Sequence, residues 1–187
     1  MEKKLLKMKK IIQIVMLGFM GYGSKAQSHT LDYDTCSQLQ QYNNTEWMYI
    51  NGTDTVRIYL RYHRSYESDF NYISDRLLGW HEYKRGNTII ESNYQQRFMT
   101  LPYDMTNIGL NDYSIRLRLD PASDVVPKGF RGFITDYGYA NNSHLVTTTF
   151  NANATVMYWK QWFTEATQFN GPTPTMTLPK QFTLVRQ

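Results

Sequence analysis

Residues 45–62 have the sequence of a complete β-hairpin, and this segment constrains the fold more than any other part of the chain. Asn51-Gly52 supplies the two residues that a type I′ turn requires, and apolar and polar residues alternate on both sides. A turn centred on these residues places Trp47 opposite Val56, and the same register adds a charge pair, Glu46 with Arg57. The hairpin then has an apolar face of Trp47, Tyr49, Val56, Ile58 and Leu60 and an opposite face of Arg57, Tyr59 and Arg61.

Short alternating segments continue to the end of the chain and predict an all-β fold of about nine strands. After the hairpin, the predicted strands are 77–84, 88–92, 112–119, 129–137, 144–150, 154–162 and 182–186. We expect an aromatic, acidic loop at 65–72, an irregular connection with a helical turn at 95–110, and a short helical turn within 36–42. This spacing predicts one antiparallel domain that is a single barrel or a sandwich, and a barrel is favoured.

The N-terminus has the pattern of a secretory signal peptide. A lysine-rich start precedes about ten apolar residues, and Ser24-Lys25-Ala26 stands before Gln27. The apolar run is shorter than the roughly 20 residues of a membrane span. We therefore expect cleavage after Ala26, a polar leader at 27–44, a β domain at 45–187, and a mature protein that is periplasmic or extracellular with no stable membrane span.

Net charge and cysteine content narrow the classes of function. The whole chain carries +4, but removal of residues 1–26 leaves 14 basic and 15 acidic residues. A net charge of −1 gives no support for a nucleic-acid partner. Cys36 is the single cysteine, so an intrachain disulfide is excluded.

Several motifs resemble those of a family of small exported bacterial proteins of unknown function. They are Lys25-Ala26-Gln27, Trp47 in the first long strand, Leu77-Leu78-Gly79-Trp80-His81-Glu82-Tyr83, and the segment that follows Leu178-Pro179. The resemblance covers most of the mature chain, and it implies no particular activity.

Trp47 and Arg186 also resemble a residue pair of the lipocalin-like (calycin) barrels. In those proteins a tryptophan of the first strand and an arginine of the last strand pack together at the closed end. The resemblance implies a structural role for Trp47 and Arg186. Thr45 stands where the calycin pattern has glycine.

The sequence marks no catalytic or metal site, and it indicates no cofactor. His29, His63, His81 and His144 show no short metal-ligand spacing, although His81-Glu82 and His144 are able to converge from neighbouring strands, as is Asp75. No serine has the glycine pattern of a nucleophile elbow.

The residues that suggest a ligand are arginines and aromatics on strands. Neighbouring strands that carry Arg57 and Arg61, and Arg116 and Arg118, would form an anion site, although such arginines are usually a solvated outer face. Tyrosine, phenylalanine and tryptophan make up 15% of the chain, and exposed aromatics bind sugars in many β proteins. The candidate ligand-binding residues are Arg57, Arg61, Arg116, Arg118, Trp80 and Trp159.

Three hypotheses of function follow. The first is an exported, non-catalytic barrel that binds a small apolar or glycan ligand. The second is a structural or protein-interaction module of the cell envelope without a small-molecule ligand, whose partner is an envelope protein. The third, which has the least support, is a hydrolase. An open apolar interior would favour the first hypothesis, a filled interior with exposed aromatics the second, and a cleft with histidines and carboxylates the third.

Overall fold

The computed structural model describes residues 32–34, 36–67, 71–105, 112–120, 129–137, 142–163 and 177–187. The predicted signal peptide lies outside these residues. The described strands are β1 (Asp32–Asp34), β2 (Thr45–Asn51), β3 (Asp54–Glu67), β4 (Tyr72–Arg85), β5 (Thr88–Ser92), β6 (Ile115–Leu119), β7 (Phe130–Asp136), β8 (Asn142–Phe150), β9 (Val156–Phe163) and β10 (Gln181–Arg186). Short 3₁₀ helices lie at Ser37–Tyr42 and Tyr94–Phe98.

Eight strands form a closed antiparallel barrel in the order β4-β3-β2-β10-β9-β8-β7-β6, and β6 returns to β4. Two pairings close it. Arg186 of β10 pairs with Trp47 of β2, and Leu77 of β4 pairs with Leu117 of β6. β5 extends the edge of β4, and β1 runs parallel to β4. The predicted all-β barrel is confirmed, including the pairing of the last strand with the first strand of the hairpin.

The first hairpin has the predicted faces but a different register. Trp47 pairs with Ile58 rather than Val56, because the two-residue turn is Gly52-Thr53 and not Asn51-Gly52. Gly52 has a φ of +58°, whereas Asn51 is a paired strand residue. The pairing moves by two positions, an even number, so every side chain keeps its predicted face.

The barrel interior is filled by apolar side chains. Trp47, where the sequence placed a core residue, is fully buried. The other large interior side chains are Tyr42, Tyr83, Phe130, Phe150, Trp159, Phe182, Leu60, Leu77 and Leu184. Several aromatic rings pack edge to face, with Tyr42 and Phe130 centroids 4.8 Å apart.

β4 is buried on both faces, and this explains its nearly continuous apolar sequence. Its inner face contributes Leu77 to the barrel core, and its outer face contributes Leu78 and Trp80 to a second apolar cluster. Residues 94–105 cover that second cluster with Met99, Leu101 and Met105. Gly79 stands between Leu60 and Ile115, where an added Cβ would lie 2.9 Å from each.

The predicted loop at 65–72 is wrong at both ends. β3 continues to Glu67 and β4 begins at Tyr72, so the β3–β4 hairpin has two arms of 14 residues. Ser65 and Ser74 are buried on the outer face of this hairpin. A backbone bridge to Asp104 extends the edge of β3, because Tyr66 N donates to Tyr103 O and Met105 N donates to Tyr66 O.

Candidate functional site

Arg57 and Arg61 hold residues 94–105 against the outer face of the barrel. Both project outward from β3. Arg57 donates to Glu46 Oε1 through Nε at 2.9 Å, and its guanidinium lies 4.5 Å from the centre of the Tyr94 ring. Arg61 donates to the carbonyl oxygens of Arg97 and Met99 and stacks on Trp80 at 5.0 Å. Their hydrogen-bonding capacity is used within the protein, which assigns them a structural role.

Trp80 and Trp159, two of the candidate ligand-binding residues, present no ring to solvent. Trp80 is fully buried under residues 94–105 and donates its indole N–H to Asp112 O at 2.7 Å. Trp159 is 1% exposed and stacks on Phe182 inside the barrel. Exposed aromatics of β9 are Tyr158, the residue before Trp159, which faces outward and is 49% exposed, and Trp162, which is 37% exposed.

Tyr158 stands at the centre of a polar groove on the outer face of β8, β9 and β10. Its register neighbours are Thr149 on β8 and Thr183 on β10. The next outward row consists of Thr147, Lys160 and Gln181. These six residues, together with Thr148, Trp159 and Phe182, line a groove of about 410 Å³. We call it the tyrosine groove.

The polar side chains of the tyrosine groove are not used for internal bonding. Among the described residues, no hydrogen bond or ion pair engages the side chains of Thr147, Thr149, Lys160, Gln181 or Thr183. Three hydroxyl groups, an amide and an ammonium group therefore surround an exposed phenol ring. Of the lining residues, only Trp159 was a candidate from the sequence, and Tyr158 was missed because the sequence did not establish which side of β9 faces the interior.

Arg116 and Arg118 lie on the outer face of β6, as the usual arrangement of strand arginines predicts. The structure does not place them beside Arg57 and Arg61, because β4 stands between β3 and β6. It brings them instead to Arg76 of β4 and Arg131 of β7, and these four residues line a groove of about 190 Å³. We call the four residues the arginine strip. The sequence does not reveal the strip, because it does not show that the strands of Arg76 and Arg131, β4 and β7, both pair with β6.

A buried polar network lies where β4 changes its partner from β6 to β5. His81 Nδ1 is 2.7 Å from Ser114 Oγ, and His81 Nε2 is 3.1 Å from Glu91 Oε1. Asn93, which follows β5, joins β4 to the start of β6, because its Oδ1 accepts from His81 N and from Ser114 Oγ. His81 and His144 do not lie on neighbouring strands, since β6 and β7 stand between β4 and β8, and a chain of contacts through Glu91 and Asp136 connects them. Asp75 lies elsewhere, paired with Arg64 at 2.8 Å.

This network has the residue types of a serine hydrolase, but its geometry is structural. Ser114 Oγ lies 2.7 Å from His81 Nδ1, but Asn93 Oδ1 at 3.0 Å and Gly79 O at 3.4 Å compete for its single proton. Ser114 is 2% exposed and His81 is fully buried. The network satisfies polar groups at the strand junction, where a buried, unbonded group would be costly. No group of three His, Cys, Asp or Glu side chains in the described part of the chain is arranged to hold a metal ion.

Asp136 extends the network toward β8. Burial alone would raise the pKa of this carboxyl, but interactions with His144, Glu91 and Thr177 outweigh burial and hold the pKa well below its usual range. Thr177 N donates to Asp136 Oδ2 at 2.7 Å, and His144 Nε2 lies 3.6 Å from the same oxygen. Burial raises the pKa of the adjacent Tyr137 to about 12. At neutral pH Asp136 is therefore ionised and Tyr137 is neutral, as the same side chains are in an unfolded chain.

These features define a small antiparallel β-barrel with a filled apolar core and two polar surfaces on its outer face. The chain belongs to a family of unknown function (DUF6705), which matches residues 8–119. The expected membership of a family without known activity is thereby confirmed, while bacterial origin and export stay predictions. No curated protein and no solved structure is significantly similar to the chain. None of the helices in the described residues has the length and apolarity needed to cross a membrane.

Proposed function

We propose that this protein is an exported, non-catalytic β-barrel that binds a glycan in the tyrosine groove. The observation that carries the proposal is the exposed Tyr158 ring, surrounded by polar side chains that make no internal hydrogen bond in the described structure. Saccharides present apolar C–H faces beside hydroxyl groups, so they fit a ring that is bordered by donors and acceptors.

The filled interior favours this surface over an internal ligand site. Lipocalin-like ligand binding needs an open barrel, whereas Trp47, Phe130 and Trp159 fill this one. A filled interior with exposed aromatics is also what an interaction module without a ligand would have. We prefer the glycan to such a module because the polar side chains around Tyr158 make no internal hydrogen bond in the described residues, and to an apolar molecule because the interior is filled.

Export rests on the sequence of residues 1–26 and brings the groove into contact with envelope or extracellular polysaccharides. The mass of the protein recovered outside the cytoplasm tests this part of the proposal. A chain that starts at Gln27 supports export, and a chain that retains residues 1–26 contradicts it.

The experiment for the groove is an affinity measurement on Tyr158 variants. The mature protein is screened on a glycan array, and the best saccharide is titrated by calorimetry. Tyr158→Ala should weaken binding about 3- to 10-fold, because aromatic contacts are worth ~0.5–1.5 kcal/mol, while Tyr158→Phe keeps the ring and most of the affinity. Tyr103→Ala, at a residue that is 54% exposed outside the groove, is the matched control.

Two outcomes would contradict glycan binding. In the first, no saccharide on the array binds, as expected for an envelope interaction module without a small-molecule ligand. In the second, Tyr158→Ala and Tyr103→Ala bind with equal affinity, which would place any saccharide site elsewhere.

A further inference from the structure

The arginine strip places like charges directly opposite each other. Arg118 of β6 pairs in register with Arg131 of β7. Arg116 pairs with Leu78 of β4, and Arg76 lies two residues before Leu78 on the same face of that strand. Like charges at opposed positions of a sheet are destabilising. The arrangement therefore lowers the stability of the free protein unless an anion compensates for it.

Within the described residues, most of this charge has no counterion. Arg76 forms an ion pair with Glu67, but no ion pair includes Arg116, Arg118 or Arg131. Arg131 Nε is buried and has no hydrogen-bond partner. Arg116 and Arg118 are exposed. Guanidinium groups in such an array are suited to carboxylate or sulfate oxygens, which they bind through paired N–H donors.

One row of outward-facing residues connects the arginine strip to the tyrosine groove. Arg131 pairs with Thr147, Thr147 pairs with Lys160, and Lys160 pairs with Gln181. Neighbouring strands lie about 4.8 Å apart, so one strand spacing separates Arg131 from the edge of the groove. A saccharide chain that leaves the groove across β8 reaches Arg131 first and then Arg118.

We infer that the glycan is an acidic polysaccharide whose anionic groups bind Arg118 and Arg131 while a neighbouring sugar ring stacks on Tyr158. This inference rests on the proposed glycan-binding function and names the class of its ligand. Carboxylated and sulfated sugars share the required chemistry. An acidic polysaccharide fits better than a nucleic acid, because Tyr158 stands in its groove among hydroxyl and amide groups, and the other exposed rings nearby, Phe133 and Trp162, lie outside that groove.

The test compares polymers that differ only in charge. Polygalacturonate is paired with its fully methyl-esterified form, and dextran sulfate is paired with dextran. The proteins are the mature chain, the double variant Arg118→Gln/Arg131→Gln, and a control, Lys84→Gln/Arg85→Gln, which removes the same charge at the β4–β5 turn. Affinity is measured at two salt concentrations, and thermal unfolding is measured for each protein.

We expect the acidic member of at least one pair to bind more tightly than its neutral partner. The double arginine variant should lose at least about 10-fold in affinity for the acidic polymer, because charge-assisted hydrogen bonds are worth ~1.5–3 kcal/mol, and its affinity should depend less on salt. Its melting temperature should equal or exceed that of the native chain, since opposed charges are removed. The control should bind as the native chain does.

The remaining outcomes separate this inference from the function on which it rests. Equal binding of neutral and acidic polymers, unchanged in the arginine variant, overturns the inference and leaves glycan binding in place. A lack of binding to any polysaccharide overturns both. If the affinity for the acidic polymer depends on the arginines but is unchanged by Tyr158→Ala, the inference is also overturned, because the anion site is then separate from the groove. Tighter binding to single-stranded oligothymidylate than to any polysaccharide overturns it in favour of nucleic acid.

Discussion

Trp47 shows how single side chains organise the core of the barrel. Its indole N–H donates to Thr45 Oγ1 at 2.9 Å, and the Thr45 hydroxyl donates to Tyr42 O at 2.8 Å. The Arg186 guanidinium lies 6.0 Å from the centre of the Trp47 ring. Thr45 thus supplies an acceptor for a fully buried donor, which gives a physical reason for threonine where the calycin pattern has glycine.

We predict that Trp47→Ala lowers the free energy of unfolding by ~3–5 kcal/mol, the usual loss for truncation of a large buried aromatic. The side chain also contacts Phe150, at 5.8 Å between ring centroids, so the cavity would open in the centre of the aromatic cluster. Urea unfolding at equilibrium measures the change. Trp162→Ala, at a residue that is 37% exposed on β9, is the control and should lose much less. A loss below about 1 kcal/mol for Trp47→Ala would contradict its role in the core.

At the scale of elements, the end of β7 makes stability depend on pH. The pKa of Asp136 is lower in the folded protein than in the unfolded chain, where an aspartate titrates near ~3.9. The stabilisation from this carboxylate is therefore complete above the unfolded pKa, and it is lost as pH falls through the folded pKa.

We predict that Asp136→Asn destabilises the protein at pH 7 by ~1–3 kcal/mol, because Thr177 N and His144 lose a charged acceptor. The stability difference between the native chain and the variant should shrink as the pH falls from 5 to 2. Urea midpoints across this range measure it. Asp54→Asn is the control, because Asp54 is a partly exposed carboxylate at the start of β3 that pairs with Arg85. A difference that stays constant with pH would show that Asp136 is not the group that titrates.

The elements show which parts of the structure the sequence predicts. Alternation located the strands of the barrel, because a strand with one buried face imposes a period of two. It failed at 65–72, where β3 and β4 continue as one long hairpin and the buried outward residue is a serine, Ser65, rather than an apolar residue. The sequence identified Arg116 and Arg118 as candidates. To assign Arg76, Arg131 and Tyr158 to a site, one must know the order of the strands and which side of each strand faces the interior. Those are long-range properties.

At the scale of the whole molecule, β10 is the strand that closes the barrel. It pairs with β9 along Gln181–Val185 and with β2 through Val185 and Arg186. Gln187 N adds a bond to Glu46 O at 2.9 Å. Leu184 is fully buried in the core. A closed barrel has no free sheet edges, and loss of β10 would expose the edges of both β2 and β9.

Deletion of residues 183–187 should therefore destabilise the protein far more than removal of a frayed terminus. The loss of Leu184 alone is expected to be ~2–5 kcal/mol, and the two exposed edges add to it. For a chain of this size we expect the melting temperature to fall by at least ~6 °C. Deletion of Gln187 alone, which removes a single backbone bond to β2, is the control and should change it by much less. The truncated chain should also aggregate on heating, because unpaired edge strands associate. If the truncated and full-length proteins melt within about 2 °C of each other, β10 does not hold the barrel closed, and the pairing of Arg186 with Trp47 contributes little to the stability of the fold.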